Sequence, residues 1–126
     1  MSRGSRTKGA RAENEVASEL QRLLGDQTIR RNVEQYSAGG KDLQGDSIDG
    51  YHIEIKRRNN RSELRLGLWT QQAELAATAD TDSPELAIII TRCDGTEWRC
   101  YPCMTLEQLA EYIQLKERAQ IGDLAQ

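Results

Sequence analysis

The run LAIIIT, from Leu86 to Thr91, constrains the fold most. A strand with one wet face alternates apolar and polar residues, and this run does not. A strand so uniformly apolar is buried on both faces, so its sheet must be covered on both sides. Helices can supply the cover, and the chain offers three. One fits from about Ala10 to Leu24, with Val16, Ala17, Leu20, Leu23 and Leu24 on a single face and Gly25 placed to end it. A second reads from Trp69 to Ala79. A third begins at Thr105, where Thr105 and Gln108 have the spacing of a capping box and Leu106, Leu109, Ala110 and Ile113 form a stripe. Further strands are expected at Thr28 to Val33, near 42–48, near 51–57, and at Trp98 to Tyr101. The order α, β, β, β, α, β, β, α predicts an α/β fold, a mixed sheet flanked by helices. At 126 residues the chain suits one domain with a modest core. The Gly/Ser/Arg-rich first eight residues are expected to be mobile, and 117–126 to form a loose tail.

Turn chemistry sets the finer expectations. Asp49-Gly50 and Asp94-Gly95 are two-residue turn signals, and SAGG (Ser37–Gly40) reads as a loop. A two-residue hairpin at Asp49-Gly50 places Asp42 opposite Arg57. A one-residue bulge at Gly45 moves Asp42 opposite Lys56 instead, onto the side of Glu54 and Lys56. The reading of these residues as a site depends on that side. Strand alternation puts His52, Glu54 and Lys56 on one face and Tyr51, Ile53, Ile55 and Arg57 on the other. By itself E-x-K is equally an exposed ion pair of little consequence.

Two carboxylates at a strand end can hold a hard divalent cation such as Mg²⁺, which keeps several of its waters. The cation would acidify a bound water and offset phosphate charge, and a nearby lysine would position that water. Asp42, Glu54 and Lys56 therefore have the parts for phosphodiester hydrolysis. Glu13 lies on the apolar face of the first helix, whereas Glu15 and Glu19 lie outward. A carboxylate on a buried face calls for a partner or a metal. Gln72 shares a helix face with Trp69, Ala73 and Ala76. For both Glu13 and Gln72, the edge of the apolar face is the plain alternative.

The net charge of −3 conceals an asymmetry. Residues 1–65 carry 13 Lys/Arg against 10 Asp/Glu, and residues 66–126 carry 4 against 10. The basic residues cluster at Arg3, Arg6, Lys8 and Arg11; at Arg30 and Arg31; and at Lys56, Arg57, Arg58, Arg61 and Arg65. Such patches suit DNA phosphates whatever the overall charge, with solvated surface as the alternative.

Four segments in order, KGARAE (Lys8–Glu13), SAGGKD (Ser37–Asp42), EIK (Glu54–Lys56) and WTQQA (Trp69–Ala73), resemble the PD-(D/E)xK nuclease superfamily. The nearest pattern is that of archaeal-type Holliday junction resolvases and related phage nucleases. The resemblance spans roughly residues 8–76. It implies a restriction-endonuclease-like fold, an Mg²⁺-dependent endonuclease for which Mn²⁺ can substitute, and a homodimer acting on branched DNA. It implies Glu13, Asp42 and Glu54 around the metal, Lys56 as the catalytic lysine and Gln72 bordering the site. Ser37 or Tyr36 would lie near the scissile phosphate. DNA contacts are expected from Arg3, Arg6, Lys8, Arg11, Arg30, Arg31, Ser37, Lys41, Arg57, Arg58 and Arg61. Lys41 stands where the superfamily motif has proline.

Other classes are harder to build. His52 is the sole histidine and is expected at a strand surface, which disfavours an HNH or Ser-His-Asp site. Cys93, Cys100 and Cys103 fall short of four zinc ligands. Three cysteines also make a poor disulfide framework, and no apolar segment follows the basic N-terminus, so a reducing cytoplasm is expected. No phosphate loop is present, so no nucleotide cofactor is expected. No apolar run is long enough for a membrane span. Three functions stay open: a junction resolvase, a nuclease of this fold for duplex, flap or replication-intermediate DNA, and a non-catalytic DNA-binding protein.

Overall fold

The computed structural model describes residues 3–33, 40–79 and 82–125, with side chains from residue 9 to residue 122 within those stretches. The elements are α1 (Arg3–Leu24), β1 (Arg30–Arg31), β2 (Leu43–Gln44), β3 (Tyr51–Arg58), a 3₁₀ turn (Arg61–Glu63), α2 (Leu66–Ala77), β4 (Leu86–Cys93), β5 (Arg99–Pro102) and α3 (Leu106–Ala125). β3 pairs parallel with β4, and β4 pairs antiparallel with β5, giving a mixed three-stranded sheet. β1 and β2 form a separate antiparallel ribbon. The protein is thus α/β, with helices flanking a mixed sheet. Among the described residues, no helix is long and apolar enough to cross a membrane.

β4 divides its side chains between two cores. Ile90 packs with Ala12, Val16 and Ala17 of α1 and with Ile53 and Ile55 of β3. Ala87 and Ile89 pack with Trp69, Ala73 and Ala77 of α2. This is the two-sided cover that LAIIIT demands, and it makes β4 the central strand. The buried stripe of α2 is Trp69, Ala73 and Ala77, spaced one turn apart, whereas Ala76 is exposed.

Several local expectations need correction. α1 begins at Arg3 instead of Ala10, and α3 runs through the expected tail to Ala125. α2 is Leu66–Ala77. The strand expected at 28–33 shortens to two residues, and the segment 42–48 contributes only Leu43–Gln44, paired to β1. Asp49-Gly50 is not a two-residue hairpin. Such a turn needs positive φ at both central residues, but only Gly50 has it, at +91°. The chain instead winds through residues 46–50, where Asp49 N–H reaches Asp46 O and Tyr51 N–H reaches Ile48 O. Gly45 is needed for close approach: a Cβ there would sit 2.8 Å from Ile29 Cα, a backbone atom of a fully buried residue.

Asp26 fastens these loops together. Its Oδ1 accepts from Thr28 N–H and hydroxyl, and its Oδ2 accepts from Ser47 N–H and hydroxyl. Four donors on one carboxylate hold its pKa well below the usual range. The capping box at α3 forms in both directions, between Thr105 and Gln108. The stripe beyond it is solvent-facing: Leu106, Leu109 and Ile113 are all exposed, as are Tyr112 and Leu115.

Candidate active site

Asp42 sits at the free edge of β3. Its N–H donates to Ile53 O at 2.9 Å, and its Oδ2 accepts from Ile55 N–H at 2.7 Å. The carboxylate therefore takes the place of a strand partner for one residue. Asn32 N–H donates to Asp42 O, and the Asn32 amide donates to Lys41 O, fixing the backbone from the other side. Asp42 therefore lies against Ile53–Ile55 and faces neither Arg57 nor Lys56, and Gly45 makes no bulge to bring this about. The wider turn at 46–50 shifts the register and still leaves Asp42 beside Glu54.

Two more carboxylates approach Asp42 from opposite faces of the sheet. Glu13 comes from α1, on the Ile53/Ile55 face. Glu54 shares its face with Ile89 and Trp69, on the α2 side. Burial pushes the Asp42 carboxyl up to about 7, and the charges of Glu54 and Glu13 push the same way against the Ile55 hydrogen bond and Lys56. Lys56 Nζ is 3.9 Å from Glu54 Oε2 and stands over the Trp69 ring at 5.9 Å. Asp42, Glu54, Lys56 and Glu13 are therefore brought together.

Other commitments limit what they can hold. Glu13 Oε2 is bound by Arg31 Nε at 2.6 Å, and Glu54 Oε1 by His52 Nε2 at 2.9 Å. Among the described residues, no three carboxylate, histidine or thiol groups converge closely enough to ligate a metal together. A two-carboxylate site does fit. Asp42 and Glu54 would be its donors, through the oxygens not engaged by Ile55 and His52, and Mg²⁺ accepts so small a set because it retains water. The raised pKa of Asp42 comes first from burial and then from the charges of Glu54 and Glu13, and a cation at the site would offset those charges.

The remaining predicted residues separate into exposed and occupied. Gln72 is exposed on α2 and hydrogen-bonds to none of the four among the described residues. Arg11, Arg30 and Arg61 are exposed. Arg31 is half-buried on Glu13. Arg57 pairs with Asp94 at 3.0 Å, and Arg58 stacks over Trp69 at 5.0 Å. Lys41 pairs with Glu85. The side chains of Arg3, Arg6 and Lys8, and all of Tyr36 and Ser37, lie outside the described residues. A cavity of about 470 Å³ includes Arg61, Thr91, Arg99 and Tyr101 in its lining. Thr91 is the register partner of both Lys56 and Arg99, so that part of the lining is on the Lys56 face of the sheet.

His52 was expected at a surface and is 2% exposed. Alternation placed it correctly beside Glu54. What the expectation lacked was that α2 covers that face while β4 lies alongside with Ala87 in register.

Comparison with protein-family models, with characterised proteins and with solved structures finds no match in any of the three.

Proposed function

We propose that this chain is a metal-dependent DNA endonuclease of the PD-(D/E)xK type, acting on branched DNA as a Holliday junction resolvase. One observation carries the reading. Asp42, Glu54 and Lys56 meet at a sheet edge, with Glu13 adjacent, and Asp42 bears a charge its surroundings oppose. Mg²⁺ bound there would supply an acidified water and offset charge on the phosphate. Asp42 and Glu54 are the residues that would hold it. Lys56 is placed to orient the nucleophile or neutralise developing charge, and its ammonium is kept near Glu54 by the Trp69 ring. Exposed Arg11, Arg30 and Arg61 would hold the backbone by sequence-independent phosphate contacts. The homodimer belongs to the same proposal, with two sites cutting two strands.

A second reading, a DNA-binding protein without catalysis, is favoured by the Arg31 ion pair that already engages Glu13 and the His52 hydrogen bond that already engages Glu54. Cleavage of labelled DNA with Mg²⁺ or Mn²⁺ separates the readings. Substrates would be a four-way junction, flap, splayed arm, duplex and single strand, each with wild type and Asp42→Asn. Paired junction nicks, absent from the variant, support the resolvase. Cutting of another substrate keeps the nuclease and discards the junction. Tight binding with no metal-dependent cutting overturns the enzyme.

A further inference from the structure

His52 is a buried polar residue that the site has not yet used. A buried imidazole among charged groups is retained when its hydrogen bonds are specific. His52 Nε2 is 2.9 Å from Glu54 Oε1. An ionised carboxylate only accepts, so the ring proton is on Nε2. Nδ1 faces Glu85 Oε1 at 3.9 Å, beyond hydrogen-bonding range, and the other oxygen of Glu85 is held by Lys41. Ala87, the register partner of His52, closes the face alongside with a fully packed neighbour. The imidazole thus stands between Glu85 and Glu54 and fixes one oxygen of Glu54. The other oxygen, Oε2, is the one turned toward Lys56.

We propose that His52 is a positioning residue: it pins Glu54 through Oε1 so that Oε2 is presented, beside Asp42, to a divalent cation. The proposal rests on the nuclease reading of Asp42 and Glu54. A flexible glutamate two residues along a strand has several rotamers, and a fixed donor on Oε1 selects one of them. Hydrogen-bond partners just outside a metal's ligands typically contribute about 10–100-fold in metal affinity or activity.

The test compares His52→Gln with His52→Asn. A glutamine amide reaches the position of Nε2 and can still donate to Glu54, whereas asparagine is too short. Both are polar, and melting curves would confirm that both fold. Mn²⁺ affinity would be read by electron paramagnetic resonance, with DNA binding in EDTA and cleavage in parallel. The expected result is Mn²⁺ affinity about 10–100-fold weaker in His52→Asn, near wild type in His52→Gln, and DNA binding unchanged in both. Wild-type affinity in His52→Asn, or equal loss in both variants, overturns the proposal and leaves the nuclease reading standing. A wild-type protein that neither binds Mn²⁺ nor cuts DNA overturns both.

Discussion

Replacing Asp42 with asparagine should stabilise the protein at alkaline pH. The Asp42 carboxyl is raised from 3.8 to about 7, chiefly by burial and further by Glu54 and Glu13. Between those two values the folded chain holds a proton that the unfolded chain has lost, so stability falls as pH rises through that window. Above it, ionised Asp42 costs up to about 4 kcal/mol. Asparagine keeps an oxygen for Ile55 N–H and removes the charge. For a chain of 126 residues, a gain of 2–4 kcal/mol corresponds to a rise in Tm of about 8–15 °C near pH 8. Near pH 4 the difference should vanish, because wild-type Asp42 is then protonated when folded. Mg²⁺ at pH 8 should raise the Tm of wild type and leave the variant unmoved. The assay is thermal unfolding by circular dichroism across pH, with EDTA or Mg²⁺. An Asp42→Asn Tm within about 2 °C of wild type at pH 8, or a difference that does not change with pH, would refute the reasoning.

Gly45→Ala should lose about 1–3 kcal/mol in urea unfolding, because the added methyl meets Ile29 backbone at 2.8 Å. Trp69→Ala, which empties a site 5% exposed, should cost about 3–5 kcal/mol by the same measurement and leave Lys56 without its aromatic support. Asp26→Asn should act oppositely to Asp42→Asn. The Asp26 pKa is depressed on folding, so its contribution is present above pH 3.8 and lost as pH falls; the variant should melt lower at neutral pH and show a shallower acid limb. Arg30→Ala with Arg61→Ala should weaken DNA binding equally across sequences and lower the slope of log affinity against log salt by about one per arginine, measured by fluorescence anisotropy.

Local periodicity and local chemistry were enough for the order of the elements, though not for their bounds or for the pairing of β2. LAIIIT called for cover on both faces and has it. The Thr105–Gln108 spacing marked a helix start that both hydrogen bonds make real. Glu13 was legible on the buried face of α1, because a 3.6-residue period places it above Ala17 and Leu20. The pairing of Glu54 with Lys56 on one side of β3 follows from strand alternation alone. Each of these depends on residues a few positions apart, where backbone geometry leaves one answer.

Only the folded chain decided the rest. Asp42 reaches Ile55 through a register set by a five-residue turn, and the sequence offered a tighter turn that Asp49 does not adopt. His52 is buried because α2 and β4 arrive from elsewhere in the chain. Arg31, Arg57 and Arg58 look like neighbours of Arg30 and Arg61 in sequence, yet the first three meet Glu13, Asp94 and Trp69. A side chain's charge and reach are local properties. Its partner is whatever the sheet and helices carry to within a few ångströms, and for Arg57 that partner is Asp94, on the turn that follows the neighbouring strand β4.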